Sequence, residues 1–184
     1  LLYDKNKIFL LIRSKKDIIK IKRKYPKLKC IYFNSYKILD ARLKKIEVDI
    51  IIHSATYYIK NHSRKDIEKL ANSNIVFGNI ILDNLKKMKV KKFINFSSMW
   101  ENYNGVKDNV FNLYSVYKKS FSFIISYYKK LYLKTKFYNL NISDTFGKDD
   151  KRNKLINTLR FNFKKNKITN IVSRKLYMNL VNVA

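Results

Sequence analysis

Short apolar runs alternate with longer stretches of helical period along this chain, and that alternation restricts its possible folds more than any other feature. Residues 8–12 (IFLLI), 30–33 (CIYF), 48–53 (VDIIIH), 92–97 (KFINFS) and 137–142 (FYNLNI) read as buried strands. Residues 15–24 read as a basic amphipathic helix. A long helical stretch follows over residues 63–90, opened by Ser63 and Asp66 at N-cap and N3 spacing. Another helix is expected over about residues 112–133 and one more to about Lys165, before two short strand-like runs. Strands this short, separated by helices, imply βαβ units and a parallel sheet. Right-handed crossovers then gather the loops after the strand C-termini on one edge, where α/β sheets bind ligands. There is no internal repeat, and Pro26 is the only proline, so no linker is marked.

At 184 residues the chain can bury one sizeable core and is not forced into a second domain. Hydrophobic residues at 46% and aromatics at 15% argue for a globular protein despite 29% charged residues. The single cysteine, Cys30, excludes an intramolecular disulfide and fits a reducing compartment. No apolar stretch approaches the ~20 residues that a bilayer span needs. The nearest, residues 121–128 (FSFIISYY), is short, flanked by lysines and better suited to a buried helix. The opening residues show no signal-peptide pattern, so cytoplasm is the default and no membrane partner is expected. The net charge of +28 raises nucleic acid as a partner. Against that, the lysines are spread over the whole chain and accompany many Ile, Asn, Tyr and Phe, which favours compositional bias. The charge should still steer an anionic, phosphate-bearing ligand towards the protein.

Three polar loops follow strands: HSATYY, SSMWENYNG and SDTFGKDDKR. Between the last two lies the helix carrying NLYSVYKK, in which Tyr114 and Lys118 are four residues apart and share a face. An ammonium beside a phenol stabilises the phenolate and should lower the Tyr114 pKa. A strand-end hydroxyl could polarise the same substrate oxygen, which completes the minimum set for moving a proton while a cofactor moves a hydride. Spacing alone does not single out Tyr114, because Tyr3, Tyr25, Tyr103 and Tyr132 also have a lysine four residues on.

Context does single it out. VDIIIHSAT, SNIVFGNIILDNLKKMKVKKFINFSS, NLYSVYKKSF and LNISDTFGKDDKRNKLI occur in the order found in extended short-chain dehydrogenases/reductases. From about Ile8 to Ala184 the chain resembles their NAD-dependent epimerase/dehydratase branch. It is most similar to the reductases of CDP-4-keto-3,6-dideoxyhexoses, the abequose and paratose synthase type. The resemblance implies a Rossmann-like, doubly wound parallel sheet, with residues 1–150 as a partial NAD(P)-binding domain and 151–184 as the start of a substrate-binding part. It further implies a sugar-nucleotide oxidoreductase of nucleotide-sugar metabolism, of the kind that serves O-antigen biosynthesis. Tyr114 would then be the acid/base. Lys118 would hold the nicotinamide ribose and lower the Tyr114 pKa, and Ser98 would hydrogen-bond the substrate oxygen. The competing reading of Ser98 is a helix or turn cap.

His53, Ser54, Ala55 and Thr56 match a family loop lying against the cofactor, although a histidine ending a buried strand is more often structural and no proton transfer is assigned to it. Asn74 and Gly78 match an Asn-x-x-x-Gly helix motif, in which Asn supports the neighbouring loop and Gly permits close helix–sheet packing. Arg13 falls where the family faces the adenine ribose; with Ser14, Lys15 and Lys16 beside it this favours NADP(H), with NAD(H) as the alternative. A solvated charge run is the bland reading of the same residues. Arg152 and Lys154 are candidates for the substrate diphosphate, and Trp100 for either the sugar pocket or the core. No metal site is expected. The helices over 63–90 and 112–133 often form a dimer face in the family, so a homodimer is an expectation by analogy.

The chain departs from the pattern in two places. Its three glycines, Gly78, Gly105 and Gly147, form no glycine-rich phosphate turn. The expectation is therefore of an incomplete fold, cut at both ends, with the first strand and glycine loop upstream of Leu1 and most of the C-terminal lobe beyond Ala184. Such a piece should bind cofactor weakly and be inactive alone. Met99 and Trp100 stand where the dehydratases carry an Asp-Glu pair, which argues against dehydration. The rival readings are a C4 epimerase of the same family, a degenerate member of it, and a basic nucleic-acid-binding module without catalysis.

Overall fold

Each strand pairing is parallel, as the alternation of runs requires. The computed structural model describes residues 5–148, 150, 152, 154–171 and 179–183. β1 (Phe9–Ile12) pairs with β2 (Lys29–Tyr32), and a second ladder runs β3 (Ile50–His53), β4 (Lys92–Ser98), β5 (Lys136–Ile142). β6 (Asp144–Phe146) pairs with β7 (Leu180–Asn182). The helices between them are α1 (Lys15–Lys24), α2 (Tyr36–Leu43), α3 (Arg64–Ala71), α4 (Phe77–Asp83), α5 (Leu113–Leu131) and α6 (Leu155–Lys164). This is an α/β arrangement of small parallel sheets, a partial Rossmann-like fold. No described helix is long and apolar enough to cross a membrane, and no described cluster of His, Cys, Asp or Glu could hold a metal ion. One of the two strand-like runs expected after Lys165 falls in part on residues 172–178, outside the described residues.

Local chemistry explains where the helices start. Ser14 caps α1 by accepting the Asp17 N–H at 3.3 Å, with Asp17 in the first turn and Lys22, Arg23 and Lys24 in the last, each complementing the helix dipole. α3 begins behind Ser63, whose backbone N–H and hydroxyl both donate to Asp66 Oδ2 at 2.9 and 2.7 Å. α2 has no counterpart in the sequence reading. It is only eight residues long, and its inward face rests on one i,i+4 pair, Leu39 and Leu43, too few repeats to declare a helical period.

The long helix expected over 63–90 is instead broken. A π-helical turn over Asn72–Val76 separates α3 from α4, and α4 ends at Asp83. The Asn84 amide donates back to Ile80 O and across to Asp40 Oδ1, both at 2.9 Å, so its side chain competes with helix continuation. The wider π turn carries Asn74, which is buried.

The core collects Leu39 and Leu43 from α2, Phe77, Ile81 and Leu82 from α4, Phe93 from β4, and Phe121, Ile125 and Tyr128 from α5. Gly78 permits the closest approach in it. A Cβ there would stand 2.3 Å from the Phe121 ring and 3.1 Å from His53 Cε1. Phe121 is fully buried and has little room to yield, so glycine fixes the spacing between α4, α5 and the end of β3. That spacing seats α5 against the sheet, with its first turns, which carry Tyr114 and Lys118, near the carboxyl-terminal end of β4.

Candidate active site

Parallel strands bring the ends of β3, β4 and β5 to one edge, and the loop after β3, Ser98 and the first turns of α5 lie at it. β4 ends at Ser98, which caps the 3₁₀ turn Met99–Gly105: its Oγ accepts the Trp100 N–H at 3.2 Å. The cap reading of Ser98 is therefore realised, and it is compatible with a chemical one. The bond occupies an acceptor lone pair and leaves the hydroxyl hydrogen available to a substrate oxygen. Asn112 caps α5, accepting the Ser115 N–H at 3.0 Å, and so fixes the entry of the helix that carries Tyr114 and Lys118.

Lys118 is buried, and its Nζ donates to Phe96 O at 2.7 Å, two residues before Ser98 on β4. Burial pulls its pKa down to about 8, against a smaller opposing pull from Glu101. Tyr114 behaves differently from the sequence expectation. Its phenol is held above the usual range chiefly by burial, with Thr56 pulling the other way and the Glu101 carboxyl adding to the rise. The expected lowering by Lys118 is not what this geometry produces, because the ammonium is committed to the Phe96 carbonyl.

The loop after β3 is fixed by Asn74. Its Oδ1 accepts from the Thr56 hydroxyl at 2.7 Å and the Tyr57 N–H at 3.0 Å, and its Nδ2 donates to Tyr57 O at 2.9 Å. Asn74 thus acts through the loop in this geometry. His53 is buried among Phe77, Phe93 and Phe121, with its Nδ1 2.8 Å from Asn95 Oδ1 and its Nε2 without a partner. Burial lowers its pKa to about 4, so the ring is neutral near pH 7. Ser54 is exposed at the mouth of the loop and Ala55 is packed against the core. For a nicotinamide cofactor, Ser54, Tyr114 and Lys118 make a fitting donor set at this edge, while none of the three glycines supplies a phosphate cradle.

An aromatic wall flanks Tyr114. The Tyr58 ring meets it edge-on at 5.1 Å and lies 5.6 Å from Trp100, which continues to Phe111 at 5.0 Å. Trp100 therefore belongs to the wall of the site as much as to the packing of the loop. Just after β1, Arg13 is caged by Phe33, Tyr36 and Phe77 at 5.1–5.5 Å and donates to the Tyr36 hydroxyl at 2.8 Å. Ser14 is occupied as the cap of α1.

Arg152 and Lys154 are paired. Arg152 donates to both oxygens of Asp150 at 2.6 and 2.7 Å and to Thr145 Oγ1 at 2.9 Å, and Lys154 meets Asp144 at 3.0 Å. A diphosphate would have to displace those carboxylates. The sequence reading named Thr56 only as part of the loop after β3 and missed Tyr58, Ser122 and Glu101. For Glu101 a signal existed, since Ser98-x-x-Glu101 has the same cap-to-N3 spacing as Ser63 and Asp66.

The fold and this edge define a class. The family model described as the NAD dependent epimerase/dehydratase family matches residues 10–180, and the chain belongs to that family. Among solved structures, the chain is similar to the UDP-glucose 4-epimerase of Thermotoga maritima, at 14% identity and a TM-score of 0.76 over 99% of this chain and 63% of that one. It is similar to the UDP-N-acetylglucosamine 4-epimerase of Methanobrevibacter ruminantium, at 18% identity and a TM-score of 0.69 over 100% of this chain and 70% of that one. It is also similar to a tyrosine-to-phenylalanine mutant of the UDP-glucuronic acid 4-epimerase of Bacillus cereus, solved with NAD and UDP-4-deoxy-4-fluoro-glucuronic acid, at 18% identity and a TM-score of 0.66 over 83% of this chain. The match spans about half of that last enzyme, 51%. At these identities the likeness concerns the fold. No curated protein matches the chain in sequence.

Proposed function

We propose that this chain carries the acid/base centre of a sugar-nucleotide enzyme that reduces a 4-keto-deoxyhexose nucleotide with NADPH. Its support is the placement of Ser98 at the end of β4, of Lys118 on Phe96 O of the same strand, and of Tyr114 one helical turn earlier against Tyr58, in a chain of this family. In this reading a phenol held above its ordinary pKa stays protonated at neutral pH, as a donor to the C4 oxygen must be. In the same reading the Ser98 hydroxyl donates to that oxygen, and the Lys118 ammonium turns from Phe96 O to the developing phenolate once cofactor and substrate are bound. The nicotinamide, when bound, supplies the hydride.

Met99 and Trp100 weigh against a dehydratase, and the caged guanidinium of Arg13 suits the 2′-phosphate of NADP(H). In this reading residues 1–150 form the cofactor side and 151–184 open the substrate side, with Arg152 and Lys154 meeting the diphosphate. CDP-linked 4-keto-3,6-dideoxyhexoses are the substrates of choice, giving 3,6-dideoxyhexoses of the O-antigen type as products. A second reading, C4 epimerisation with a retained NAD, is favoured by the likeness to three 4-epimerases.

The natural gene product, given NADPH and a CDP- or UDP-linked 4-keto sugar, should consume the cofactor. Tyr114→Phe should slow this by about 10²–10⁴-fold. Interconversion of C4 epimers without net cofactor consumption would select the second reading, and neither activity with any nucleotide sugar would remove both.

The proposal includes a homodimer through α3 and α5. Val116, Phe123, Tyr127 and Leu131 form an exposed apolar stripe at helical spacing on α5, with Ile67 exposed on α3. Light scattering should give twice the chain mass, and Phe123→Glu with Tyr127→Glu should halve it. A monomeric mass for the unaltered protein would dispose of the dimer.

A further inference from the structure

Beneath the site runs a row of polar side chains of which the resemblance assigns only His53. His53 Nδ1 is 2.8 Å from Asn95 Oδ1, Asn95 Nδ2 donates to Asn139 Oδ1 at 2.6 Å, and Asn139 Nδ2 donates to Ser122 Oγ at 2.9 Å. The Ser122 hydroxyl lies 3.2 Å from Glu101 Oε2, and Glu101 Oε1 accepts the Ser98 N–H at 3.3 Å. Register accounts for the first three members. His53, Asn95 and Asn139 stand opposite one another in adjacent parallel ladders, so their side chains leave the same face of the sheet. The other two come from α5 and from the turn after β4.

His53, Asn95 and Glu101 are buried, and among the described residues no lysine or arginine is ion-paired with Glu101. A carboxyl in such a place costs stability that an apolar residue would not. What the carboxyl holds is specific: one oxygen binds the backbone of Ser98 and the other faces the helix of Tyr114 and Lys118.

We propose that Glu101 is a positioning residue, tying the backbone of Ser98 to Ser122 of α5 and so setting the Ser98 hydroxyl against the Tyr114–Lys118 face. The role rests on the enzymatic reading above. The groups facing the carboxyl are Tyr114, Lys118, Lys119 and Ser122 from α5 and the Ser98 N–H from the turn. Its charge raises the proton affinity of both Tyr114 and Lys118, so a neutral isostere should lower both.

The test has an arm that needs no substrate. Glu47, Glu68 and Glu101 are the only glutamates, so ¹³Cδ-glutamate labelling of the full chain gives a short carboxyl spectrum in which the resonance lost in E101Q is Glu101. In the unaltered chain the Ser98 amide shift should follow that resonance through its titration, above the ordinary 4.5. In E101Q the Ser98 amide should no longer titrate there. Its kcat should fall about tenfold with KM within about twofold, since misplacement acts on the reacting geometry. The alkaline limb of its kcat profile should move to lower pH, a shift that a purely structural carboxyl would not cause. If E101Q fails to fold, Ser122→Ala, which frees the other carboxylate oxygen, should move the Ser98 amide and reduce kcat in the same sense. A Ser98 amide indifferent to the Glu101 titration, or a kcat–pH profile unchanged in E101Q, overturns the proposal. Absence of turnover in the unaltered protein defeats the enzymatic reading alone, and the amide titration then decides the positioning role.

Discussion

At pH 7 a Lys118→Met variant is expected to be more stable than the unaltered chain while losing its turnover. The ammonium is buried, and its pKa falls from 10.5 in the unfolded chain to about 8 in the fold. The group is then charged in both states at pH 7, and folding carries it into a poorer solvent. Each pKa unit is about 1.4 kcal/mol, so the penalty is roughly 3 kcal/mol. The sign follows from proton counting. Between pH 8 and 10.5 the unfolded chain binds the proton that the folded one releases, so stability rises with pH across that window. Below pH 8 the penalty is fully present.

Methionine matches the length of lysine and removes the charge, at the loss of the 2.7 Å bond to Phe96 O. Leaving that carbonyl short of a donor costs about 1–3 kcal/mol, which leaves a net gain of about 1 kcal/mol and a rise of about 2–4 °C in Tm. Turnover should fall by at least about 10²-fold in the proposed reading, because the ammonium that turns from Phe96 O to the Tyr114 phenolate is gone. Differential scanning calorimetry and the NADPH assay measure the two halves. A variant that melts lower and still turns over would make Lys118 a structural lysine. Stability sacrificed at a buried cation is the pattern of a site kept for chemistry.

The parallel α/β plan was legible because it is written in local periods: IFLLI, CIYF and KFINFS are short, apolar and bounded by polar residues. Element ends were less so. The π turn at Asn72–Val76 leaves no trace in apolar spacing, since Leu70, Asn74, Phe77 and Ile81 follow a helical stripe through it with one polar member. The site was legible where two residues share a helix, as Tyr114 and Lys118 do. It was not legible where partners meet across strands, as Asn95 and Asn139 do, because register is a tertiary fact. The same limit hid the reversal at Tyr114. A Tyr-x-x-x-Lys spacing brings an ammonium near a phenol but says nothing of the Phe96 carbonyl that claims it, or of the burial that governs both groups.

Acid should unfold this protein in a window set by His53. The imidazole sits among three phenylalanine rings, with Lys118 adding to its reluctance to take a proton, and its pKa drops from 6.5 to about 4. Above pH 6.5 the ring is neutral in both states and its contribution is complete. As the pH falls from 6.5 to 4 the unfolded chain binds a proton that the folded one refuses, and about 3 kcal/mol of stability is lost. The lowered carboxylates, Asp40, Asp49, Asp66, Asp108 and Asp150, act below their ordinary 3.8, outside this window.

Glu101 acts within the window and in the opposite sense, since its raised carboxyl removes stability as the pH climbs above 4.5. Urea midpoints taken from pH 4 to 7 should therefore rise with pH, and rise more steeply in E101Q. His53→Gln, whose amide can still donate to Asn95 Oδ1, should flatten the curve between 6.5 and 4. A His53 Cε1 proton resonance that titrates near 6.5 in the folded protein, or a His53→Gln curve as steep as the original, would show that the ring is not the group responsible. The orphaned Nε2 makes the effect one-directional. With no acceptor at Nε2 to receive an added proton, the imidazolium has only the Asn95 bond in its favour, which is smaller than the cost of burial.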